Sequence, residues 1–360
     1  MSLRPSVDVN VFVFNAAATI VEVLDSLRGQ SWSELAITVI DNASTDDTCA
    51  LVEGIALRDS RVALLRSPIN VGPVINCQRA FWHGQSAFVL PKTGDDLLAP
   101  DFVSATIDAL RDDAATAMCH AAGLVFDGSG TVQHIYPPGH ALDAVAPDPL
   151  ARARHVMTHY TSAPAFWGLY RRTAVARLAP LAYRPGWDHA VLAELALYGA
   201  IRSVAQPLFW RRHGGKDVGE LARGCSQFTQ RGLGLDDTLA DLFWRLPLVA
   251  TAYGHFERFA VAQLSTADRH ALMDDVPAIF RARWLPMMRQ EAARFRTHLP
   301  MLLDRARGTP GAASLWAARQ VGEALLALQT ILPDEDFTSE RIMLHACSAG
   351  TSEATGLLVV

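Results

Sequence analysis

The sequence predicts an α/β fold in which a mostly parallel sheet is flanked by helices, followed by a helical C-terminal region. Three observations support this prediction. Four short apolar runs within the first 90 residues alternate with segments of helical periodicity. Polar residues follow each apolar run, and from about residue 219 onward the pattern is helical with little strand character. Strands separated by helices of this length pair in parallel through right-handed crossovers.

The N-terminal elements follow from local pattern. The alternating, β-branched segment VDVNVFV, continued by Phe14, predicts the first strand. A helix follows, because apolar residues recur at helical spacing as far as Gly29, which is placed to end it. Ser44 to Asp47 have the form of a capping box with Asp in place of Glu, so a helix through Leu57 is expected. The next three strands are the runs LAITVI (35–40), VALL (62–65) and AFVL (87–90).

The later elements are a helix from Pro100 to Leu110 and an apolar segment at 116–126. A strand is expected at PAFWGLYRR (164–172) and an amphipathic helix at GWDHAVLAELALYG (186–199). The remaining C-terminal residues contain amphipathic segments. They predict a helical domain that packs on the first domain or forms a homodimer, with an acceptor-site role as the alternative.

Composition excludes several classes of protein. The formal net charge of -5 and the absence of a Lys/Arg-rich run give no basis for nucleic-acid binding. The five cysteines are scattered and form no CxxC pair, which fits neither a disulfide framework nor a zinc site. The N-terminus lacks the apolar core of a signal peptide, and no apolar run is long enough for a transmembrane segment. We therefore expect a cytoplasmic protein.

Polar residues at the predicted strand ends mark the expected ligand site. They are Asn15, Asp41 with Asn42, the segment 66–70, and Asp95 with Asp96. In parallel sheets, ligands bind outside the carboxyl ends of the strands. The adjacent Asp95 and Asp96 need compensation, because like charges held together are costly. Either they form a solvated turn that caps the helix at Pro100, or a cation binds between them.

These motifs resemble the family 2 glycosyltransferases, which have the Rossmann-like GT-A fold. The resemblance covers roughly residues 8–215 and comprises, in order, the strand ending at Asn15, VIDNASTDDT, NVG, TGDD and WDHAVLAELALYG. Thr93 stands where many members have the first acid of the DxD-type motif. The resemblance implies a nucleotide-diphosphate-sugar donor and a divalent metal, Mn2+ or Mg2+.

The resemblance also implies roles for the aspartates. Asp96 is the expected metal ligand, with Asp95 close to the ribose or sharing the metal. Asp188 is the expected catalytic base, which removes the acceptor hydroxyl's proton in an inverting transfer. The alternative for Asp188 is a helix cap.

The remaining implied site residues surround the donor. Asp41 contacts the base or ribose, and Asn42 and Ser44 shape its loop, with helix capping as the alternative for Ser44. His213 reaches the metal or diphosphate, or is only a loop residue. The other residues expected at the nucleotide sugar are Asn15, Asn70, Gly72, Arg79 and Arg212; for Arg79 a surface salt bridge is the alternative.

The predicted function is a metal-dependent inverting glycosyltransferase that uses a UDP- or dTDP-sugar and an acceptor hydroxyl of unknown identity. The alternative is a non-catalytic relative that binds or scaffolds a nucleotide sugar. A sugar-phosphate nucleotidyltransferase is disfavoured, because NAAATI after the first strand lacks a Gly-rich, basic loop. The predicted domains are 1–218, catalytic, and 219–360, helical.

Overall fold

The computed structural model describes residues 6–111, 113–137, 141–161, 163–181, 184–213, 246–306 and 312–348. Within them the chain forms two compact units. The first comprises residues 1–181 and 191–215, and the second comprises 182–190 and 216–360. The predicted boundary between residues 218 and 219 lies outside the described residues.

A nine-stranded sheet forms the centre of the first unit, with strand order β3-β2-β1-β4-β8-β6-β9-β5 and β7 paired to β6. The strands are β1 Val7–Val13, β2 Leu35–Asp41, β3 Val62–Arg66, β4 Phe88–Thr93, β5 Leu97–Leu98, β6 Thr116–Phe126, β7 Val132–Ile135, β8 Leu169–Arg171 and β9 Ala200–Arg212. Pairing is parallel from β3 through β4 and again between β6 and β9, whereas β8, β7 and β5 pair antiparallel with their neighbours. The predicted α/β class is confirmed.

Helices connect these strands. They are α1 Ile20–Arg28, α2 Thr48–Ala56, α3 Pro73–Trp82, α4 Phe102–Arg111, α5 Pro149–His159, α6 Arg172–Val175 and α7 Trp187–Tyr198. The core of this unit includes the four valines of β1 together with the buried face of α1. Six of the seven residues of β1 are buried, which is typical of a parallel strand covered on both faces.

Two local expectations were wrong. The helix after β2 begins at Thr48, and its N-cap residue, Asp47, makes no side-chain cap hydrogen bond. Ser44 therefore does not cap a helix. The expected strand at 164–172 is shorter, because Ala163–Ala165 is a 3-10 helix and only Leu169–Arg171 pairs in the sheet.

The second unit is helical over its described residues. It contains α8 Pro247–Val261, α9 Thr266–Ala306, α10 Ala312–Ile331 and α11 Thr338–Ser348. Helix α9 is kinked at Trp284, whose backbone is not helical, and Pro286 follows two residues later. Among the helices of the described ranges, none has the length and apolar character needed to cross a bilayer.

Candidate active site

The strand register brings the predicted site residues of the first unit to one edge of the sheet. Val13 at the end of β1 pairs with Asp41 of β2, and Asp41 pairs with Arg66 of β3. On the other side of β1, Phe12 pairs with Thr93, which ends β4. The polar loops that follow these strands therefore start side by side, as expected for the ligand-binding edge of a parallel sheet.

Hydrogen bonds join the loop after β1 to the loop after β2. Asn15 has a left-handed backbone, with φ of 51°. Its side-chain oxygen accepts a bond from the Thr45 N–H at 2.8 Å, and its own N–H donates to the Ser44 hydroxyl at 2.9 Å. Asn15 and Ser44 thus hold two loops in register, a role that the sequence pattern did not reveal.

Asp41 is the buried acid of this loop pair. It is 1% exposed, and both carboxylate oxygens accept from the Ser44 N–H, at 3.1 and 3.3 Å. Burial and then the nearby charge of Asp41 raise the pKa of the Cys49 thiol. The Asp41 carboxylate lies at the start of the loop, where its oxygens can also accept hydrogen bonds from a ligand.

Asn42 joins this loop to the NVG turn. Its side-chain NH2 donates to the Asn70 side-chain oxygen at 2.8 Å and to the Gly72 carbonyl at 3.3 Å, while its own oxygen accepts from the Val71 N–H at 2.9 Å. Gly72 has a φ of 85°, a backbone conformation that residues other than glycine rarely adopt. Asn42, Asn70 and Gly72 therefore form one hydrogen-bonded unit, which we call the asparagine latch.

Arg79 lies in the last turn of α3 and is half-buried. It donates to the Ser67 hydroxyl and, at 3.5 Å, to the Asn76 side chain. No ion pair involves it within the described part of the chain, so the surface salt bridge considered as its alternative is not found there.

The adjacent aspartates follow β4 and do not cap a helix. Leu97 and Leu98 continue directly into β5, and α4 begins only at Phe102. Asp96 is 7% exposed; its two oxygens accept from the Arg212 N–H at 3.0 Å and the Thr93 hydroxyl at 3.2 Å. The helix-cap alternative for this pair was therefore wrong.

The Oδ1 atom of Asp95 is buried and has no hydrogen-bond partner among the described residues. A buried carboxylate oxygen without a donor is costly unless a cation or ligand compensates it. Burial also raises the pKa of Asp96, with the charge of Asp95 adding to the shift. Both observations indicate that a positive group belongs at this turn.

Lys92 supplies part of that charge, and sequence reasoning missed it. It is 1% exposed, and its ammonium donates to the Thr93 carbonyl at 3.1 Å and hydroxyl at 3.2 Å. Burial lowers the pKa of this ammonium, while the charges of Asp96 and Asp95 oppose the shift. A lysine inside an otherwise apolar strand was the signal that could have identified it.

Arg212 and His213 end β9 beside the aspartate turn. The Arg212 side chain donates to the Asp95 carbonyl at 3.0 Å, pairs with Glu22 and lies over the Phe126 ring. Arg212 therefore holds the Asp95–Asp96 turn against the end of β9. His213 is exposed, and its N–H donates to the Phe126 carbonyl. It directly follows Arg212, whose N–H bonds Asp96.

Asp188 belongs to the second compact unit, where it is the second residue of α7 and half-buried. The structure therefore groups the other predicted site residues in the first unit and assigns the expected base to the segment 182–190 of the second. Within the described ranges, no three His, Cys, Asp or Glu side chains converge to form a metal site by themselves.

The mostly parallel sheet with its flanking helices has the GT-A fold that glycosyltransferases use. The model of the family described as "Glycosyl transferase family 2" matches residues 8–178, which include every predicted site residue up to Asp96. Residues 8–178 are thus similar to this family over 171 of the 360 residues of the chain.

Two curated relatives illustrate the match. The chain is 25% identical over 131 residues to the putative glycosyltransferase EpsE of Bacillus subtilis, covering 36% of this chain and 47% of the relative. It is 32% identical over 113 residues to the succinoglycan biosynthesis protein ExoO of Rhizobium meliloti, covering 31% of each. The chain spans less than half the length of these relatives.

Among solved structures, the chain is similar to residues 1–349 of TarS from S. aureus, with a TM-score of 0.55 and 15% identity. The alignment covers 96% of this chain and 87% of that one. At this identity the likeness shows the fold.

Proposed function

We propose that this protein is a metal-dependent inverting glycosyltransferase that transfers a sugar from a UDP- or dTDP-sugar to an acceptor hydroxyl. The observation that carries the proposal is the Asp95–Asp96 turn at the carboxyl end of β4. One of its carboxylate oxygens is buried and has no donor among the residues that the structure describes, and the turn is attached to β9 by Arg212. An anionic diphosphate can bind beside two carboxylates only if a cation joins them.

The residues at this turn fit a divalent cation that the substrate helps to coordinate. Asp96 and Asp95 would hold Mn2+ or Mg2+, while His213, which does not converge with both of them among the described side chains, would contact the diphosphate. Mg2+ is commonly bound by one or two carboxylates, with substrate phosphates and water completing the shell. This agrees with the lack of a three-residue cluster among the described side chains. Such a metal stabilises negative charge on the departing diphosphate.

The loops after β1, β2 and β3 are proposed to bind the nucleotide. Asp41 accepts hydrogen bonds from the base or ribose, and the asparagine latch holds the NVG turn against the same loop. Asn15 and Ser44 position this loop from the opposite side. Arg79 on α3 donates to the Ser67 hydroxyl, and its proposed contact with the donor would be in addition to that bond.

Asp188 is proposed as the base that takes the acceptor's proton while that oxygen attacks the anomeric carbon. Asp188 lies in the first turn of α7. Arg212 is proposed to fix the aspartate turn and to add positive potential near the phosphates.

The test is a thermal-shift titration with UDP, dTDP, GDP and CDP, each with and without Mn2+. A ligand at 100 times its Kd stabilises the folded state by about 2.7 kcal/mol. One uridine or thymidine diphosphate should therefore raise the Tm by several degrees only when Mn2+ is present. UDP is tested first, because TarS residues 1–349 have been crystallised with UDP and with UDP-GlcNAc.

Asp96→Ala should abolish this shift, while Asp108→Ala, which removes an exposed carboxylate of α4, should retain it. A shift of equal size without Mn2+ would contradict the metal dependence. No shift with any nucleotide would contradict the donor site. Binding without release of UDP or dTDP from any nucleotide sugar would favour the non-catalytic relative.

A further inference from the structure

The segment that contains Asp188 is attached to the helical unit by contacts on both sides of that residue. Residues 182–190 group with residues 216–360, although the rest of α7, from Val191 onward, groups with the first unit. The chain thus enters the helical unit for a short stretch around the proposed base and then leaves it. The described part of this stretch, 184–190, is called the base segment below.

Arg184 attaches the beginning of the base segment. Its guanidinium pairs with Glu323 of α10 at 3.4 Å and with Glu257 of α8 at 3.2 Å, and it lies 4.8 Å from the ring centre of Tyr253. Arg184 is 8% exposed and Glu323 is 6% exposed. A buried arginine between two acids has a defined position, because either charge left alone would be costly there.

Gly186 attaches the middle of the segment by close backbone approach. It has φ of 70°, and a Cβ built on it would lie 1.8 Å from the Thr251 hydroxyl oxygen. The same hydroxyl donates to the Pro247 carbonyl at 2.6 Å, and the Pro185 carbonyl accepts from it at 3.5 Å. Only glycine fits this position, so the backbone two residues before Asp188 packs directly on α8.

His189 attaches the end of the segment. Its Nδ1 atom lies 2.6 Å from the Nε2 atom of His255, and both rings are buried, against Phe280 among others. Ala190 packs on the same helix, because a Cβ added at Gly254 would lie 3.4 Å from the Ala190 Cβ. The residue that follows Asp188 is therefore held by α8 and α9 in an aromatic core.

We propose that the helical C-terminal unit is the positioning module for the catalytic base, with Arg184, Glu323, Thr251 and His255 as positioning residues. This inference rests on the proposed role of Asp188. Contacts at Arg184, Gly186 and His189 fix the backbone on both sides of the aspartate. The unit therefore serves the chemical step whichever acceptor the enzyme uses, rather than serving only oligomerisation.

The test uses the full chain and compares Glu323→Gln with Glu340→Gln. Both glutamates are buried in the second unit, 6% and 7% exposed; Glu323 pairs with Arg184 and with Arg319, and Glu340 pairs with Arg296. Only Glu323 contacts the base segment; Glu340 pairs with Arg296. Glu257→Gln, on the more exposed side of the same arginine, is a milder second variant if Glu323→Gln does not fold.

Hydrogen–deuterium exchange is the primary measurement, because it does not depend on knowing the donor or acceptor. Weakening the Arg184 contacts should speed exchange of the 184–190 amides by about tenfold through local opening. Exchange in β1, β2 and β4 should not change. Glu340→Gln should leave exchange of 184–190 at the wild-type rate.

The second measurement is the rate of UDP release from UDP-glucose, UDP-galactose and UDP-GlcNAc, from which kcat and the donor KM are obtained. Glu323→Gln should lower kcat by about tenfold with little change in the donor KM, since a misplaced base affects the chemical step more than donor binding. The Mn2+-dependent shift with UDP should remain at its wild-type size. Glu340→Gln should match wild type in both.

The outcomes separate this inference from the proposed function. If Asp188→Asn keeps full turnover, Asp188 is not the catalytic base, and that part of the proposed function is contradicted. If Asp188→Asn abolishes turnover while the two glutamate variants behave alike in exchange and kcat, the base role stands and the positioning inference is overturned. Faster exchange with unchanged kcat also overturns it.

Discussion

The backbone N–H of Arg212 donates to the Oδ1 atom of Asp96 at 3.0 Å. This bond attaches the end of β9 to the turn after β4, and the Arg212 side chain adds a second bond to the Asp95 carbonyl. The position of the proposed metal ligand is thus set by a strand 116 residues later in the chain. The aspartate turn is held before any ligand arrives.

Asp96→Asn should abolish Mn2+-dependent turnover without lowering the Tm of the protein. The asparagine oxygen can still accept from Arg212, and the Thr93 hydroxyl can accept from the new NH2 group. Because burial raises the pKa of Asp96, its charge destabilises the folded protein, so Tm should stay constant or rise. Turnover should fall at least about 100-fold, together with the Mn2+-dependent shift. A Tm several degrees lower would show that the carboxylate's role is structural.

Lys92→Met should strengthen binding of Mn2+ in the absence of nucleotide. The buried ammonium repels a cation at the aspartate turn, and methionine keeps a similar shape without the charge. At pH 8 we expect the Kd for Mn2+, measured by calorimetry, to fall by about tenfold.

Arg211→Met is the matched control for Lys92. Arg211 is exposed, at the end of β9, and its charge also interacts with Asp96 and Asp95. Solvent and salt screen an exposed charge, so this variant should change the Kd by less than about twofold. If Lys92→Met and Arg211→Met changed the Kd for Mn2+ equally, the larger effect expected for the buried charge of Lys92 would be contradicted.

Asn42→Ala should break the asparagine latch and weaken nucleotide binding. Asn42 is 2% exposed, and its loss leaves the Val71 N–H without its acceptor. We expect a loss of about 2 kcal/mol in the free energy of unfolding and about tenfold weaker UDP binding. Asn10→Ala is the control, since Asn10 is also buried but bonds the Ala80 and His83 carbonyls instead. It should lower stability similarly while leaving UDP affinity unchanged.

Glu291 should give the second unit a measurable pH dependence. Burial raises its pKa to about 7, although it accepts bonds from the Val249 and Leu248 amides. The folded state then binds more protons than the unfolded state between about pH 4.5 and pH 7. Stability from this group is therefore fully present below about pH 4.5 and is lost as the pH rises through 7.

Urea unfolding of wild type and Glu291→Gln from pH 5 to pH 8.5 checks this expectation. In wild type, ionisation of Glu291 should lower the free energy of unfolding by up to about 3 kcal/mol as the pH rises, and this decline should be absent in Glu291→Gln. Glu340→Gln should keep the wild-type decline. A wild-type stability that rises across this window and matches that of Glu291→Gln would contradict the expected ionisation.

Local pattern predicted most elements of the first unit. The valines of β1 and the helix ending at Gly29 follow from periodicities that involve only near neighbours. The polar strand ends predicted the ligand edge, because parallel strands align those ends. The capping box failed for a tertiary reason: the Ser44 hydroxyl accepts from Asn15, 29 residues away, and is not available to the helix.

Burial and charge compensation lay outside what the sequence could show. Lys92 reads as an isolated lysine in a strand, and only the packed sheet places its ammonium beside two aspartates. Likewise, nothing near Arg184 in sequence identifies Glu323, 139 residues away, as its partner. The burial of Lys92 and the Arg184–Glu323 pair both depend on long-range contacts that form when the cores assemble.

The sequence by itself determined the α/β class, the order of the strands along the chain and the residue types at their ends, because these depend on periodicity and local chemistry. The tertiary structure decided which polar groups are buried together. It attached Asp96 to β9 and buried Lys92 within the packed sheet. It also assigned the segment around Asp188 to the helical unit. The physical reason is that desolvation and ion pairing depend on distances between atoms far apart in the chain, which local sequence patterns do not specify.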